Sequence, residues 1–320
     1  MEFTRRRFIK FLAFFIANIS FKIPDIFGSI FDDSQKLLKT KNYKKQKVKV
    51  VGIGWAGCNV INYMSKSGIN DIEYIAISSD PRILDCCDVI QNKKKIRDAL
   101  AGSECVFIIA GMGGKTGTRI TPVVAQISKE FDALTIGIVI TPFIFEGKKR
   151  LIMAEKGIEK LKKTADAVIL IPNQAILELI PSSAILAEAF KKSDEVCYLV
   201  VKAFRDLFLD ETTCMDLQDI KKVYFPVGIT RVGIGYSEKG SLKDAIKMAL
   251  NSPLFEKASL KKAKNIFCTI YFSGEETLSE FREVIKILSK KFYKNTKILW
   301  KGVMEPEELP KAVIFASGYE

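Results

Sequence analysis

The chain has 320 residues, of which 48% are hydrophobic and 27% charged, so it can bury a substantial core and is large enough for two packed domains. It contains no histidine, which excludes histidine-containing zinc sites and Ser–His or Cys–His catalytic pairs. Any hydrolysis must therefore depend on carboxylates and ordered water. The seven cysteines are odd in number and form no Cys-x-x-Cys pair, which favours a reducing cytoplasm.

The formal net charge of +13 is concentrated near the N-terminus. Residues 1–50 hold twelve Lys or Arg and four acidic residues, a net +8, which leaves +5 for residues 51–320. A body with so small an excess does not have the charge of a nucleic-acid-binding domain. We therefore predict no nucleic-acid partner.

Residues 1–47 are predicted to form a basic, apolar arm and linker. Thr4–Lys10 reads Thr-Arg-Arg-Arg-Phe-Ile-Lys, and the apolar run Phe11–Phe21 follows. The pattern resembles a twin-arginine export signal, but the run is shorter than the roughly 20 residues that span a bilayer, and no Ala-x-Ala cleavage site follows. Three interpretations stay open: a membrane-surface anchor through residues 4–22, an arm docked on the body, and an export signal.

From residue 48 onward, short apolar segments alternate with helical patterns, which predicts an α/β fold with a doubly wound, Rossmann-like parallel sheet. The first strands are predicted at Val48–Ile53, Glu73–Ile77, Cys105–Ile109, Thr135–Ile140 and Ala167–Ile171. A long central helix is predicted at about Ser183–Leu207, and a smaller α+β unit follows it. That unit has predicted strands at Val227–Tyr236, Asn265–Phe272 and Lys297–Val303 and helices at Ser241–Leu250 and Thr277–Lys290.

The first glycine motif, Gly52-x-Gly54-x-x-Gly57, joins the first strand to a helical pattern at Val60–Ser67. It matches the dinucleotide-binding fingerprint, with acidic residues downstream at Glu73 and Asp80. Glycines here let backbone N–H groups approach a phosphate, which suits any nucleotide. Alone, the motif does not select one.

The second glycine motif, residues 110–118, reads Ala-Gly-Met-Gly-Gly-Lys-Thr-Gly-Thr and precedes a helix predicted from Pro122. It is not a P-loop, because that pattern requires a glycine where Ile109 stands. Two glycine motifs at the same edge of a sheet suit a mononucleotide di- or triphosphate.

Residues 110–118 are very similar to the tubulin-type signature of the FtsZ family, and further motifs of that family follow in order. Glu73–Asp80 resembles its second nucleotide loop, with Ser78 and Ser79 in place of the usual Asn and Thr. Pro142–Arg150 resembles its ribose-contacting loop. The other matching segments are Ile171–Asn173, Ala189–Asp194, Gly233–Gly235 and Ser252–Leu254. The similarity covers about residues 48–275.

The resemblance implies a site for GTP or GDP. The phosphates would be held by the backbone of the two glycine motifs, with an asparagine nearby: Gly52, Gly54, Gly57, Gly113, Gly114, Lys115, Thr116, Gly117, Thr118 and Asn59. Ribose and base would be contacted by five side chains: Glu146 and Arg150 at the sugar, Asn173 and Asp194 at the ribose and guanine, and Phe190 against the base.

The resemblance also implies head-to-tail assembly with copies of the same chain and GTP hydrolysis at the subunit contact. The corresponding loop is Cys214-Met-Asp216-Leu-Gln-Asp219, in which Cys214 replaces the family's asparagine. Asp216 and Asp219 are the predicted catalytic residues, since carboxylates can position water and help hold a Mg²⁺ or K⁺ ion near the γ-phosphate. Other FtsZ-like filaments are a further candidate partner.

Two departures from the family pattern keep alternatives open. The segment between Asp80 and Gly111 is shortened where the family has a γ-phosphate-sensing loop, and Lys115 and Arg119 replace glycines. A non-hydrolysing FtsZ-like scaffold is therefore one alternative. An NAD(P)-binding oxidoreductase, suggested by Gly52–Gly57 alone, is another.

The predicted organisation has four parts: an arm and linker (1–47), a GTP-binding domain (48–182), a central helix with the catalytic loop (183–218) and a C-terminal α+β domain (219–320). The expected process is cell division or a membrane-associated cytoskeleton. The expected location is the cytoplasm, including the inner face of the membrane if the arm is an anchor.

Overall fold

A computed structural model describes residues 47–69, 72–78, 92–209, 220, 228–238, 240–255, 260–292, 295–306 and 308–318. Several predictions fall outside these ranges: the N-terminal arm, residues 79–91, which include Asp80 and the first part of the shortened segment, and the predicted catalytic residues Asp216 and Asp219. They stay predictions. Within the described ranges, no helix is both long and apolar enough to cross a membrane.

Nine strands of the described chain form one sheet in the order β2-β1-β3-β4-β5-β6-β9-β7-β8. The strands are β1 (Val48–Ile53), β2 (Ile72–Ile77), β3 (Cys105–Gly111), β4 (Leu134–Thr141), β5 (Ala167–Pro172), β6 (Ile229–Tyr236), β7 (Asn265–Phe272), β8 (Lys297–Met304) and β9 (Lys311–Ser317). β9 is not among the predicted strands.

Eight α-helices pack on this sheet within the same ranges. They are α1 (Gly54–Lys66), α2 (Lys93–Leu100), α3 (Lys115–Lys129), α4 (Lys148–Lys162), α5 (Asn173–Ile176), α6 (Leu186–Phe204), α7 (Leu242–Leu250) and α8 (Leu278–Lys291). Short 3₁₀ turns lie at Ile144–Glu146, Leu177–Leu179 and Leu260–Lys262, and a π-turn at Arg205–Leu209 extends α6.

The strand pairing confirms the predicted fold class. β1 to β5 are all parallel, and β6 pairs in parallel with β5 over a short stretch at Val168 and Ile169. β9 then runs antiparallel between β6 and β7, and β8 is parallel to β7. The buried, β-branched strands of the parallel part are typical of a sheet covered on both faces. The domain limits given above stay a prediction.

Three buried clusters hold the layers together. One joins α1 and α6 to one face of the sheet, and it reaches from β1 to β7 and β9. A second joins α2, α3 and α4 to the opposite face of the parallel strands. The third joins α7 and α8 to β7 and β9. The central helix α6 thus packs on strands from both halves of the chain.

Two helices begin earlier than predicted. α1 begins at Gly54 and not near Val60, and α3 begins at Lys115 and not at Pro122, which lies inside it. The glycines had indicated loops, because they disfavour helix interiors. In the structure they form the first turns of the helices, where close packing on the strands outweighs that preference. The segments predicted to bind phosphate therefore include the N-termini of these two helices.

Candidate functional site

A cavity of about 360 Å³ opens at the carboxyl ends of the parallel strands. The predicted site residues that line it are Gly54, Asn59, Gly114, Lys115, Thr116, Gly117, Glu146, Arg150, Asn173, Phe190 and Asp194. Residues of the lining that the sequence analysis does not identify are Ile53, Trp55, Ala56, Gly111, Met112, Ile140, Thr141, Pro142 and Ser193. The predicted residues therefore converge on one cavity, although their binding roles stay predictions.

The N-terminus of α3 points backbone donors at this cavity. Gly114 is its N-cap, with no side-chain hydrogen bond to the first turn. The N–H groups of a first helical turn have no partner within the helix, and the helix dipole adds positive potential there. A phosphate is the ligand that such a helix end binds best.

Four predicted residues do not line the cavity but pack directly behind its wall: Gly52, Gly57, Gly113 and Thr118. Gly113 has a φ of +91°, which favours glycine, and its N–H donates to Thr118 Oγ1 at 2.9 Å. Gly52 and Gly57 pack directly on each other between β1 and α1. The N–H of Gly113 is therefore used within the loop itself.

Glu146 and Arg150 form one unit at the cavity edge. One carboxylate oxygen of Glu146 accepts from the backbone N–H of Phe143 at 2.8 Å, and the other pairs with the Arg150 guanidinium. Glu146 is largely buried and Arg150 more than half exposed. A ribose hydroxyl that bonds Glu146 would have to share it with these two donors, so Glu146 also maintains the loop that follows β4.

A hydrogen bond from Ser193 on α6 holds the side chain of Asn173 in place. The hydroxyl of Ser193 donates to Asn173 Oδ1 at 2.9 Å, and both residues are buried. This bond occupies the amide oxygen, so the amide NH₂ is the group of Asn173 that can donate to a ligand. Ser193 lies within the motif Ala189–Asp194, but its bond to Asn173 could not be predicted because the two residues meet only when α6 packs beside the end of β5.

Asp194 is the most perturbed acid of the cavity. Burial raises the pKa of its carboxyl group to about 7. Among the described residues, none donates a hydrogen bond to it or pairs with it. Partial desolvation of a carboxylate without a donor is costly, and guanine offers two donors, N1–H and N2–H₂, to such a group. The arrangement suits recognition of a base with a donor edge.

Aromatic rings form one wall beside Asp194. Phe190 lies one helical turn before Asp194 and makes edge contacts with Trp55 at 5.9 Å and Phe143 at 5.5 Å between ring centroids. Trp55 is 57% exposed although it is large and apolar. An exposed indole at a cavity mouth is available to stack on a planar base.

Lys115 and Arg119 lie on the exposed side of the first turns of α3, and Lys115 lines the cavity. Neither residue prevents the first turn from forming. As for cations, no group of three or more Cys, Asp or Glu side chains within the described ranges could hold a metal ion.

Taken together, the helix N-terminus, the pair Glu146–Arg150 and the half-buried Asp194 form a cavity suited to a mononucleotide in an α/β protein. Its phosphates would contact backbone N–H groups, and its base would face Asp194 and an aromatic wall.

Comparisons with known proteins agree with this class. The model of the GTPase domain of the tubulin/FtsZ family matches residues 87–181. Cell division protein FtsZ 1 of Thermococcus kodakarensis is 35% identical over 315 residues, which covers 88% of this chain and 82% of the relative. An empty FtsZ dimer from M. jannaschii matches with a TM-score of 0.77 and 31% identity over 89% of this chain and 92% of that one.

A more distant structure, the GTPγS-bound protofilament of CetZ2 from Haloferax volcanii, shares the fold with a TM-score of 0.70 and 16% identity, over 86% of this chain and 94% of that one. The chain belongs to the FtsZ family of tubulin-type GTPases. The oxidoreductase alternative is left without support.

Proposed function

We propose that the chain binds GTP and GDP in the cavity described above. The observation that carries this proposal is the convergence of the α3 N-terminus and the half-buried Asp194 on one cavity. The first turn of α3 supplies N–H donors for the phosphates, the pair Glu146–Arg150 faces the ribose, and Asp194 accepts from guanine. Mass spectrometry of nucleotide released from the purified protein tests this, and recovery of NAD(P) or no nucleotide contradicts it.

The second part of the proposal is head-to-tail assembly with GTP hydrolysed at the subunit contact, in cell division or a related cytoskeletal role. Membership of the FtsZ family and the similarity to an FtsZ described as a dimer support self-association. Asp216 and Asp219 lie outside the described residues, so their catalytic role is proposed from the sequence motif. A Mg²⁺ or K⁺ ion would then be held by the nucleotide phosphates and these carboxylates.

Replacing Asp216 by alanine is expected to separate hydrolysis from binding. Phosphate release should fall by about 100-fold or more, because general-base or water-positioning groups contribute factors of that order, while the Kd for GTP stays unchanged. Phosphate release and equilibrium binding measure the two quantities. Asp98→Ala, which removes an exposed carboxylate from α2, is the matched control and should behave as wild type.

Wild-type protein that retains GTP without turnover, with no change on Asp216→Ala, would instead indicate the non-hydrolysing scaffold. Light scattering on the same samples reports assembly. Wild-type protein that binds GTP but never scatters light would contradict head-to-tail assembly while leaving the binding proposal intact.

Trp55 should report occupancy of the cavity directly. GTP is expected to change the tryptophan emission, because the exposed indole lies at the cavity mouth beside Phe190. Trp55→Phe should abolish the change, since the other tryptophan, Trp300, lies on β8. Inorganic tripolyphosphate, which lacks a base, should bind with a much smaller change; an equal change would show that the base does not approach Trp55.

We also propose a cytoplasmic location with attachment at the inner face of the membrane through residues 4–22. Support comes from the basic and apolar composition of that segment, which suits an interfacial anchor. Fractionation of cells that express the full chain, with and without Arg5→Gln/Arg6→Gln/Arg7→Gln, tests the attachment; equal distribution of the two proteins contradicts it.

A further inference from the structure

One face of the sheet carries far more positive charge than the net charge of the body indicates. The three helices on that face are all basic: α2 has a net +3, α3 a net +3 and α4 a net +4. Their combined +10 exceeds the +5 of residues 51–320 as a whole, so the remainder of that region is net acidic. Two of the counted cations are paired locally, Arg97 of α2 with Glu130 and Lys129 of α3 with Asp166. The largest excess of positive charge therefore lies on α4.

Helix α4 presents an ordered stripe on this face. The stripe consists of exposed residues at helical spacings of three and four, here called the outer stripe: Lys149, Ile152, Met153, Lys156, Lys160 and Lys163, the last being the C-cap. It is about 21 Å long at 1.5 Å per residue. Ala154, Ile158 and Leu161 occupy the opposite, buried side of the helix.

The composition of the outer stripe is unusual for a solvated surface. Ile152 is 50% and Met153 38% exposed, and lysines flank both along the helix. The acids of α4, Glu155 and Glu159, lie off the stripe, and Glu159 pairs with Lys162 at 2.9 Å. Within the described part of the chain, no acidic side chain pairs with the stripe lysines. Four cations and two exposed apolar side chains thus share one surface.

Helix α3 extends the same face. It packs beside α4, where Gly157 lies against Thr118. α3 has three cationic residues and no acidic residue, but Lys115 lines the nucleotide cavity and Lys129 pairs with Asp166. The part of α3 that extends the stripe is therefore Arg119 with Val123, which is 36% exposed. The basic surface therefore covers two adjacent helices.

We propose that the outer stripe of α4, with Arg119 and Val123 of α3, docks on an anionic lipid surface. Lysine ammonium groups would meet lipid phosphates, while Ile152 and Met153 enter the boundary beneath them. Clustered lysines bind anionic bilayers additively, and apolar side chains between them add affinity that salt does not screen. This inference is independent of nucleotide binding.

The residue types favour lipid over nucleic acid. The stripe contains only lysines as cations and no aromatic side chain, whereas nucleic-acid surfaces use arginine forks and aromatic stacking. Exposed Ile and Met have no equivalent contact on a phosphate backbone. The N-terminal arm is also basic and apolar in sequence, and it joins the body at Lys47, so two such segments belong to one chain.

The test is co-sedimentation of the full chain with vesicles of phosphatidylcholine containing 30% phosphatidylglycerol, compared with pure phosphatidylcholine. The variant Lys156→Gln/Lys160→Gln/Lys163→Gln should lower the partition coefficient at least tenfold, because each surface lysine contributes on the order of a fivefold factor. These residues do not line the nucleotide cavity. GTP binding should therefore be unchanged in the variant, which also shows that it is folded.

The matched control is Lys286→Gln/Lys290→Gln/Lys291→Gln, which removes the same charge from the exposed C-terminal half of α8. It should lower the partition coefficient less than twofold. Ile152→Ser/Met153→Ser should weaken the binding that persists at high salt. The proposal is overturned if wild-type protein does not bind anionic vesicles, or if both triple lysine variants lower the partition coefficient equally. It is also overturned if Arg5→Gln/Arg6→Gln/Arg7→Gln abolishes all vesicle binding, or if RNA displaces the protein from the vesicles.

Discussion

Replacing Gly117 by alanine is expected to destabilise the fold and remove nucleotide binding together. A Cβ at Gly117 would lie 2.1 Å from the carbonyl oxygen of Gly111, a backbone atom at the end of β3. The first turn of α3 would have to move away from the end of β3, on which it packs. Overpacking of this kind costs about 3 kcal/mol, and the displaced N–H groups would no longer meet the phosphates. Urea unfolding and GTP binding measure the two effects.

Gly114→Ala in the same motif is the matched control. A Cβ at Gly114 meets nothing within 4 Å, and its φ of −90° and ψ of 163° suit any residue. The free energy of unfolding should therefore change by less than about 1 kcal/mol. If Gly114→Ala and Gly117→Ala destabilise equally, glycine matters here for backbone flexibility and not for the close approach of α3 to β3.

The sequence predicted the order of strands and helices because buried parallel strands are near-continuous apolar runs, which are recognisable without knowing their partners. It failed at the starts of α1 and α3. There the glycines indicated a loop by local propensity, whereas tertiary packing places them in helical turns against β1 and β3. Strand β9 reaches its place only by pairing with both β6 and β7, so nothing local specifies its position.

The candidate site divides in the same way. Glycine spacing and the ordered family motifs predicted that Asn59, Arg150 and Asn173 belong to one site, and all three line the cavity. The partners of these residues could not be predicted, because Ser193 reaches Asn173 across twenty residues and Trp55 meets Phe190 from another helix. Such contacts depend on how α1 and α6 pack. An exposed tryptophan within a glycine motif was the one sequence signal available for them.

Charge shows the limit of composition most clearly. The net +5 of residues 51–320 does not indicate a basic helix face, because acids outside α2, α3 and α4 offset their +10 in the total. A few of those acids, such as Glu130 and Asp166, pair with the helices directly. The basic helices become recognisable as one surface only when the fold places all three on the same side of the sheet. A net charge therefore describes a whole chain, while recognition depends on a surface.

Asp194→Asn is expected to change stability and binding in opposite directions. In the unliganded protein, burial raises the pKa of Asp194 from its usual 3.8 to about 7. Between these values the unfolded chain is ionised while the folded chain holds the proton, so stability falls as pH rises and the loss is complete above pH 7. Asparagine has no such dependence. The variant should be more stable than wild type by about 2 kcal/mol at pH 8, allowing for partial exposure, and nearly equal to it at pH 4.

Guanine binding should show the reverse dependence, because the carboxylate that accepts from N1–H and N2–H₂ must be ionised. With a pKa near 7, the Kd for GDP is expected to tighten about tenfold between pH 6 and pH 8 in wild type. Asp194→Asn should bind more weakly at pH 8 and lose this part of the pH dependence. Titration of the nucleotide phosphate is common to both proteins, so the difference between their profiles isolates Asp194. Parallel profiles would place the guanine edge elsewhere in the cavity.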